Sequence, residues 1–516
     1  MFAALPLMVG LFSSALPPVK ADFIVQNALL YDGSGKAGVL GDLAILGDKI
    51  VAVGKFEVAG APRRIDATGL LVAPGFIDLH THSDYPLAEA VTRANLCYLM
   101  QGVTTVVTGN CGSGPVDVAA YYTNLEKNGI GSNVIHQVPH NDVRRQVMGN
   151  VNRSPTAEEL TKMEALVDKG MKDGAWGLST GLIYNPGTYS GTDELIRLAQ
   201  VAGRHGGFYA SHIRGEGVDV LISLDEAVTI GRKAQLPVHI SHLKASGRKA
   251  WGKAADEIGL IEKARKEGVV VTADQYPYVA SSTSLAATVV PPRFREGSDK
   301  DYQARFDDKE KGPLLRKAIA EEIKACQNGQ AIRIARYKPK PAWQGKNLAA
   351  IAEQEKRPVL DIVVEIEKNG SAQIVHFSMS DEDVRLIMKQ PFVATASDGS
   401  SQDPKSNTIP HPRSYGCFAR KIGFFAIEEK LTLVEQAIRS ASGLPADILH
   451  LPQRGYLKKD YFADIVVLDS KTYRDKATFD NPHQLATGVR YLFVNGKLAI
   501  EDGKYGDVLA GKALRH

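Results

Sequence analysis

The sequence predicts an α/β protein whose central unit is a parallel β-sheet closed into a barrel. Short apolar strands, such as residues 103–108 and 238–241, alternate with longer amphipathic segments, such as residues 194–205 and 254–267. Strand–helix repeats of this length are typical of a parallel sheet, and their number favours a closed barrel. With 516 residues, the chain is long enough for such a barrel and additional domains.

Both ends of the chain carry short strands separated by glycine and aspartate turns, over residues 22–75 and 445–516. Such runs predict β-structure. We therefore expect the two ends to pair into one small β-domain beside a barrel formed by residues 76–444. Residues 291–354 interrupt the strand–helix alternation, are rich in charge, and contain Lys338-Pro-Lys-Pro341. We interpret them as an insertion between two barrel units.

The N-terminal residues 1–21 are apolar and end in Val19-Lys20-Ala21, a pattern that resembles a secretory signal peptide, although its positively charged start is missing. The segment predicts export to the periplasm or the medium, and a cytoplasmic protein with an apolar tail is the alternative. No other run approaches the roughly 20 apolar residues that a membrane span needs. The sequence therefore predicts no membrane span.

Charge and cysteine content limit the function classes. The 62 basic and 58 acidic residues give a net charge of +4, which argues against a nucleic-acid partner and leaves a small-molecule substrate. The cysteines form no CxxC pair and no disulfide framework. Cys111 lies between two glycines, in a turn that suits a reactive or ligating thiol. Cys97, Cys326 and Cys417 fit the role of small buried apolar residues. The sequence leaves the oligomeric state open.

A pair of histidines follows the apolar run 76–79 directly, as His80-Thr81-His82. Alternate side chains on a β-strand point to one face, so both imidazoles can face the same space. Two neutral imidazoles at this spacing suit a divalent transition metal, zinc first. A His-x-His pair is a weak signal by itself, but the Gly/Pro-bounded strand before it favours a metal site.

Further potential ligands follow other apolar segments. His212 and His242 each end one such segment, Lys244 follows two residues later, and Asp398 follows the apolar run 392–396. The carboxyl ends of the strands of a barrel converge on one site. Together with the histidine pair and Cys111, these residues predict a metal centre. A metal lowers the pKa of a bound water from about 15.7 to about 7, which would supply a nucleophile at neutral pH.

Three further charged residues lie close to these ligands in the sequence. Arg214 and Glu216 follow His212 closely, and we expect them to pair with each other near the pocket. Asp84 follows the histidine pair, where it either orients a histidine or caps a turn.

The order of these residues resembles the D-aminoacylase, or N-acyl-D-amino-acid deacylase, family of the amidohydrolase superfamily, over about residues 22–516. The resemblance is carried by GFIDLHTHSD (75–84), GNCG (109–112), GLSTGLIYNPG (177–187), SHLK (241–244), SDG (397–399) and HPR (411–413), and by the C-terminal β-rich tail. It implies a (β/α)8 TIM-like barrel with a small β-sandwich built from both termini. The implied activity is metal-dependent hydrolysis of the amide bond of N-acyl-D-amino acids or a related substrate, such as a D-dipeptide.

The resemblance also implies roles for individual residues. A tightly bound zinc would be held by Cys111, His212 and His242. A second, weaker position would be formed by His80, His82 and Asp398, with Cys111 able to bridge. Asp398 would be the catalytic residue that moves the proton of the nucleophilic water.

The implied substrate contacts are the side chains of Lys244, Tyr276, Arg413 and Tyr184. The first three would grip the substrate carboxylate, and Tyr184 would line the pocket. Tyr276 can be confused with Tyr278 in the sequence. We expect Lys244 and Arg413 to be buried cations that need the substrate carboxylate as their partner.

Two other functions are compatible with the sequence. A cyclic-amide hydrolase of the dihydroorotase or hydantoinase kind resembles the same pattern but bridges two metals with a carbamylated lysine on the fourth strand. The corresponding stretch 174–180 contains no lysine, and Cys111 offers a different bridge. A catalytically inactive barrel subunit would have lost metal ligands, and all six candidates are present.

Overall fold

A computed structural model describes residues 17–516. The predicted signal peptide lies mostly outside these residues, so export stays a prediction. The part of the predicted signal peptide that is described, residues 17–21, includes the strand Val19–Lys20, which pairs in parallel with Val58–Ala59. Within the described chain, no helix has both the length and the apolar character needed to cross a membrane.

Strands and helices alternate through the middle of the chain and give way to strands at both ends. In chain order the strands are β1 (Val19–Lys20), β2 (Phe23–Leu30), β3 (Val39–Leu46), β4 (Lys49–Gly54), β5 (Val58–Ala59), β6 (Arg63–Asp66), β7 (Leu71–Pro74), β8 (Phe76–Asp78), β9 (Val103–Thr108), β10 (Asn133–His136), β11 (Val138–Pro139), β12 (Gly177–Gly181), β13 (Phe208–His212), β14 (Val238–Ile240), β15 (Val271–Gln275), β16 (Ser281–Ser284), β17 (Ile332–Arg336), β18 (Gln373–His376), β19 (Val393–Thr395), β20 (Ile465–Leu468), β21 (Val489–Val494), β22 (Lys497–Glu501) and β23 (Lys504–Tyr505). The α-helices are α1 (Leu96–Leu99), α2 (Val118–Asn128), α3 (His140–Met148), α4 (Ala157–Lys172), α5 (Thr192–Arg204), α6 (Val220–Ala234), α7 (Ala254–Lys266), α8 (Leu285–Val289), α9 (Asp299–Ala304), α10 (Lys311–Ala325), α11 (Leu348–Glu355), α12 (Val359–Lys368), α13 (Asp381–Met388), α14 (Arg413–Ala419), α15 (Val434–Ala441) and α16 (Gly443–Leu449).

The centre of the molecule is a ring of parallel strands. β8, β9 and β10 form one run, and β11 to β15 with β19 form the other. β10 and β11 are separated by one residue, so they occupy one position of an eight-stranded ring. A parallel bridge between Thr81 and Gly399 closes the ring between β8 and β19. The predicted α/β barrel is therefore confirmed.

Burial explains why these segments form a barrel. Every residue of β9 and β12 is buried, as expected for parallel strands that are covered on both faces. The helices between the strands are amphipathic. In α5, for example, Leu195, Leu198 and Ala202 are buried, while acidic residues occupy its first turn and Arg204 its last, where they complement the helix dipole.

The two ends of the chain form one nine-stranded sheet in the order β23-β22-β21-β20-β7-β2-β3-β4, with β6 also paired to β2. The antiparallel pair of β7 and β20 joins the N-terminal to the C-terminal strands. Side chains from both parts, including Val25, Ile45, Ile465 and Phe493, share one apolar cluster. This β-domain places β7 directly before β8, the strand that leads into the histidine pair.

The added unit between β15 and β19 is wider than residues 291–354. β16, β18 and β17 form a three-stranded antiparallel sheet, in which Ser281 pairs with His376. Helices α8 to α12 cover this sheet with an apolar core of their own, from Leu285 to Ile374. The expected boundaries were too narrow because β16 reads Ser-Ser-Thr-Ser and offers no apolar signal. We call the unit of residues 281–376 the insertion.

Candidate metal centre and active site

The candidate residues converge at the carboxyl ends of the barrel strands, and several of them line a cavity of about 590 Å³. The barrel supplies one side of the cavity and the insertion sheet supplies the other. Its lining includes His82, Cys111, Asp398 and Arg413 from the barrel side, and Tyr184 from the loop after β12. The position agrees with the rule that barrel enzymes build their sites from the loops after the strands.

Cys111 sits in a strained turn directly after β9. Its backbone has φ 52° and ψ 31°, a left-handed conformation that is unfavourable for residues other than glycine. Gly112 follows at φ +70°, and an added Cβ there would clash with Asn141 Oδ1. The amide of Gly109 donates to Asp84 Oδ1 at 2.5 Å. Asp84 therefore anchors the turn that carries the thiol.

Cys111, His212 and His242 bring three donor atoms together. The Cys111 Sγ lies 3.5 Å from His212 Nδ1 and 3.7 Å from His242 Nε2. The two imidazole nitrogens lie 2.8 Å apart. All three residues are buried, and each lies at or just after the carboxyl end of a different barrel strand. This spacing lets the three atoms contact one ion.

His80, His82 and Asp398 form an adjoining group. Asp398 Oδ1 lies 3.0 Å from His82 Nε2 and 3.5 Å from His80 Nε2. His80 Nε2 also lies 3.3 Å from the Cys111 Sγ, so the thiol stands between the two groups. The side chain of His80 is fully buried, whereas that of His82 is 37% exposed. The second group is therefore the more open of the two.

The protonation states of these side chains fit a metal ion. Burial lowers the pKa of His80 to about 4 and holds that of His212 well below its usual value, so both imidazoles are neutral at pH 7. Neutral imidazole is the ligand form. Burial raises the pKa of the Cys111 thiol well above its usual value, so a thiolate there requires a positive charge beside the sulfur. A nitrogen and sulfur donor set with this requirement suits a divalent metal such as zinc.

Asp274, on β15, connects the ligands from behind and was not singled out in the sequence. Its Oδ2 accepts from His80 Nδ1 at 3.3 Å and from His239 Nε2 at 2.8 Å. Its Oδ1 accepts from the amide of His242 at 2.7 Å. Burial alone would raise the pKa of Asp274, but His80 and His239 outweigh it and hold the pKa below its usual range. An aspartate inside a buried strand was the available sequence signal.

Lys244 is paired within the protein, which corrects the expectation of an unpartnered cation. Its Nζ donates to Glu216 Oε1 at 2.5 Å and lies 2.7 Å from His242 Nδ1. The expected pair of Arg214 and Glu216 is also wrong, because Arg214 binds Glu226 at 2.9 Å instead. Glu216 pairs with Lys244, which is buried, and not with Arg214, which is partly exposed to water. An unpaired charge costs more free energy in the protein interior than at the surface.

Arg413 is likewise paired. Its Nη1 donates to Asp398 Oδ2 at 2.7 Å, and both side chains are buried. Its Nη2 donates to the carbonyl of Ser282 in the insertion sheet at 3.3 Å. Burial would raise the pKa of Asp398, but the Arg413 guanidinium outweighs this and holds the pKa well below its usual range. Arg413 thus keeps the candidate catalytic carboxylate ionised.

Two tyrosines complete the site. The ring centroid of Tyr276 lies 4.9 Å from the guanidinium of Arg413, whereas Tyr278 packs on His411, 5.0 Å away, and Arg420. Of the two tyrosines, Tyr276 is therefore the one that packs against Arg413. Its buried hydroxyl has no hydrogen-bond partner among residues 17–516.

Tyr184 lines the cavity and joins its two sides. Its hydroxyl lies 3.0 Å from Thr283 Oγ1 in the insertion sheet, and its ring packs 5.0 Å from that of His212. Burial raises the pKa of both tyrosines above the usual value, so their hydroxyls stay protonated at neutral pH.

An eight-stranded barrel with imidazole, thiolate and carboxylate donors at its carboxyl-terminal strand ends defines the class of metal-dependent amidohydrolases. The sequence profile of the amidohydrolase family matches residues 63–500, and the chain belongs to this family.

Within this family, the chain is similar to enzymes that are named as deacylases of N-acyl-D-amino acids. A D-aminoacylase of Alcaligenes xylosoxydans xylosoxydans is 34% identical over 516 residues, which cover 96% of this chain and 97% of the relative. A D-aminoacylase structure with a binuclear metal centre superposes with a TM-score of 0.83 at 32% identity, over 96% of this chain and 100% of that one. The N-acyl-D-glutamate deacylase of Bordetella bronchiseptica, complexed with zinc and a phosphonate inhibitor, gives 0.82 at 30% identity over the same shares.

Proposed function

We propose that this protein hydrolyses the amide bond of N-acyl-D-amino acids and releases a carboxylate and a free amine. The observation that carries the proposal is the cluster of donor atoms from Cys111, His212 and His242 next to a cavity that Cys111, Asp398 and Arg413 line. We infer the preference for D-amino acids from the relatives, because one is a D-aminoacylase and another is an N-acyl-D-glutamate deacylase.

Zinc is the metal that we propose for the site. The donor set of one thiolate and two imidazoles would hold it at Cys111, His212 and His242, and a second, weaker position would use His80, His82 and Asp398. When bound, the metal would act as a Lewis acid on the substrate carbonyl and would lower the pKa of a water. The shared position of Cys111 supports a site that takes one ion tightly and a second less tightly.

Asp398 is the proposed acid–base residue. It is ionised because Arg413 binds its Oδ2, and it lies among the ligands at the cavity floor. As a carboxylate, it can take the proton of the attacking water and return it to the leaving nitrogen, a role worth about 10²–10⁴-fold in rate. The Asp398 backbone has φ 50°, so the turn after β19 holds this side chain in a strained, defined position.

Tyr276 is the proposed hydrogen-bond donor to substrate. Its hydroxyl is neutral, buried and without a partner in the described part of the chain, beside the Arg413 guanidinium. A buried donor left unpaired costs about 1–3 kcal/mol, which a substrate carboxylate or carbonyl would recover. Lys244 instead supports His242 through Glu216, and we propose that it positions the ligand rather than gripping substrate.

A hydrolysis screen tests the proposal. Zinc-loaded and metal-stripped protein would be assayed on matched N-acetyl-D- and N-acetyl-L-amino acids, with hydantoin and dihydroorotate as cyclic amides. We expect hydrolysis of the D-series by the loaded protein alone. Activity only on the cyclic amides would support that alternative instead, although β12 carries no lysine to bridge two metals. Less than one zinc per two chains would favour an inactive barrel.

A further inference from the structure

The insertion sheet presents a row of polar side chains to the cavity above the metal ligands. Ser284 of β16 lies opposite Gln373 of β18, and Gln373 lies opposite Arg336 of β17. Residues directly opposite each other in antiparallel strands project from the same face. All three residues line the cavity that contains Asp398 and Arg413. The row is therefore part of the wall that a substrate would contact.

A β-bulge is responsible for the position of Arg336. Up to Ile334 the strands pair regularly, with Ile334 opposite Ile374, but the next pair joins Arg336 to Gln373. The extra residue is Ala335. If the strand alternated regularly through Ala335, with no bulge, Arg336 would fall on the face of Ile332 and Ile334, which packs into the apolar core of the insertion. Bulges beside active sites commonly re-aim a side chain in this way.

Arg336 also differs from Lys244 and Arg413 in that its guanidinium has no carboxylate partner in the described part of the chain. Lys244 is bound by Glu216 and Arg413 by Asp398, and both are buried. Arg336 is exposed, and no acidic group of residues 17–516 lies within 4.0 Å of its guanidinium. The same cavity is also lined by the neutral polar side chains of Ser282, Thr283 and Thr408. Within the part of the chain that the structure describes, this wall therefore offers a substrate neutral hydrogen-bonding groups and a positive charge that no carboxylate of the protein neutralises.

We propose that Arg336 is a specificity residue that receives a second carboxylate of the substrate, carried by the amino-acid side chain or by the acyl group. The inference rests on the proposed function, since it assigns a substrate class to the same cavity. A guanidinium can bind a carboxylate through two parallel hydrogen bonds, and the amide of Gln373 can support the same group. The preferred substrates are then dicarboxylic N-acyl-D-amino acids.

Pairs of substrates that differ by one charge test this assignment. N-acetyl-D-glutamate and N-acetyl-D-glutamine test the side chain, and N-succinyl-D-leucine and N-butyryl-D-leucine test the acyl group. All four keep the α-carboxylate, so its contribution cancels. In Arg336→Met we expect kcat/KM to fall about ten- to hundredfold on one of the dicarboxylates and little on its neutral partner. Lys338→Met, an exposed charge outside the cavity, is the matched control and should change neither.

A binding measurement separates the failure of this inference from the failure of the proposed reaction. Calorimetry with Asp398→Asn protein would compare the dissociation constants of N-acetyl-D-glutamate and N-succinyl-D-leucine with and without Arg336→Met. If the double variant binds these compounds more weakly but the natural protein hydrolyses none of them, the role of Arg336 in carboxylate recognition would stand and the proposed reaction would be rejected. Hydrolysis that Arg336→Met leaves unchanged, or reduces equally on acid and neutral partners, would overturn the role of Arg336.

Discussion

Replacing Asp274 with asparagine should weaken metal binding while the barrel stays folded. Asp274 touches no candidate metal position itself, but it accepts hydrogen bonds from His80 Nδ1, His239 Nε2 and the His242 amide. The bond from His80 Nδ1 places the proton on that nitrogen and leaves the Nε2 lone pair directed at Cys111 and Asp398. Carboxylates behind ligating histidines commonly set the tautomer in this way.

The size of the effect follows from the contacts that asparagine cannot make. Its single carbonyl oxygen can accept either from the His242 amide or from the two imidazoles, and its NH₂ group must face the other donors. If the oxygen stays with His242, the imidazole of His80 must invert its tautomer and lose its free Nε2 lone pair. The loss of one charge-assisted hydrogen bond costs about 1.5–3 kcal/mol. Metal affinity should therefore fall roughly ten- to hundredfold.

Competition with a chromophoric chelator would measure the metal affinity of Asp274→Asn and of the unaltered protein. Asp256→Asn, an exposed residue on α7, is the matched control and should bind metal normally. Circular dichroism would verify that Asp274→Asn is folded, so that weaker binding is not caused by unfolding. A folded Asp274→Asn protein with unchanged metal affinity would refute the role assigned to this hydrogen-bond network.

Three other changes have defined outcomes. Asp398→Asn should lower kcat at least about 100-fold while most of the metal stays bound, and normal turnover would exclude it as the acid–base residue. Cys111→Ala should remove more metal than His82→Ala, because the thiol is buried between both ligand groups and His82 is 37% exposed; metal analysis giving the reverse order would contradict this. Burial lowers the pKa of Lys421 to about 7 from its ordinary 10.5. Between these two values the unfolded chain binds more protons than the folded one, so the free energy of unfolding should rise from pH 7 to 10. Chemical denaturation at several pH values should show a smaller rise in Lys421→Met than in the unaltered protein.

The barrel was predictable because its signals are local. Alternation of apolar strands such as β9 with amphipathic helices such as α5 repeats along the chain, and each unit can be recognised without the others. The insertion was harder to delimit because β16 is polar and becomes a strand only by pairing with β18, which lies far along the chain.

By itself, the sequence determined which residues stand at the ends of the barrel strands, and so which side chains meet at the site. His80, Cys111 and His242 could be named because each follows an apolar segment, and strand ends of a barrel converge. Only the tertiary structure decided how the charges pair. Glu216 binds Lys244 and not Arg214, and Asp274 supports three histidines at once. Burial and distance in space determine these partners, because a charge that is removed from water is stabilised by the nearest buried charge of opposite sign. The spacing of residues along the sequence does not show which charges lie near each other in the folded chain.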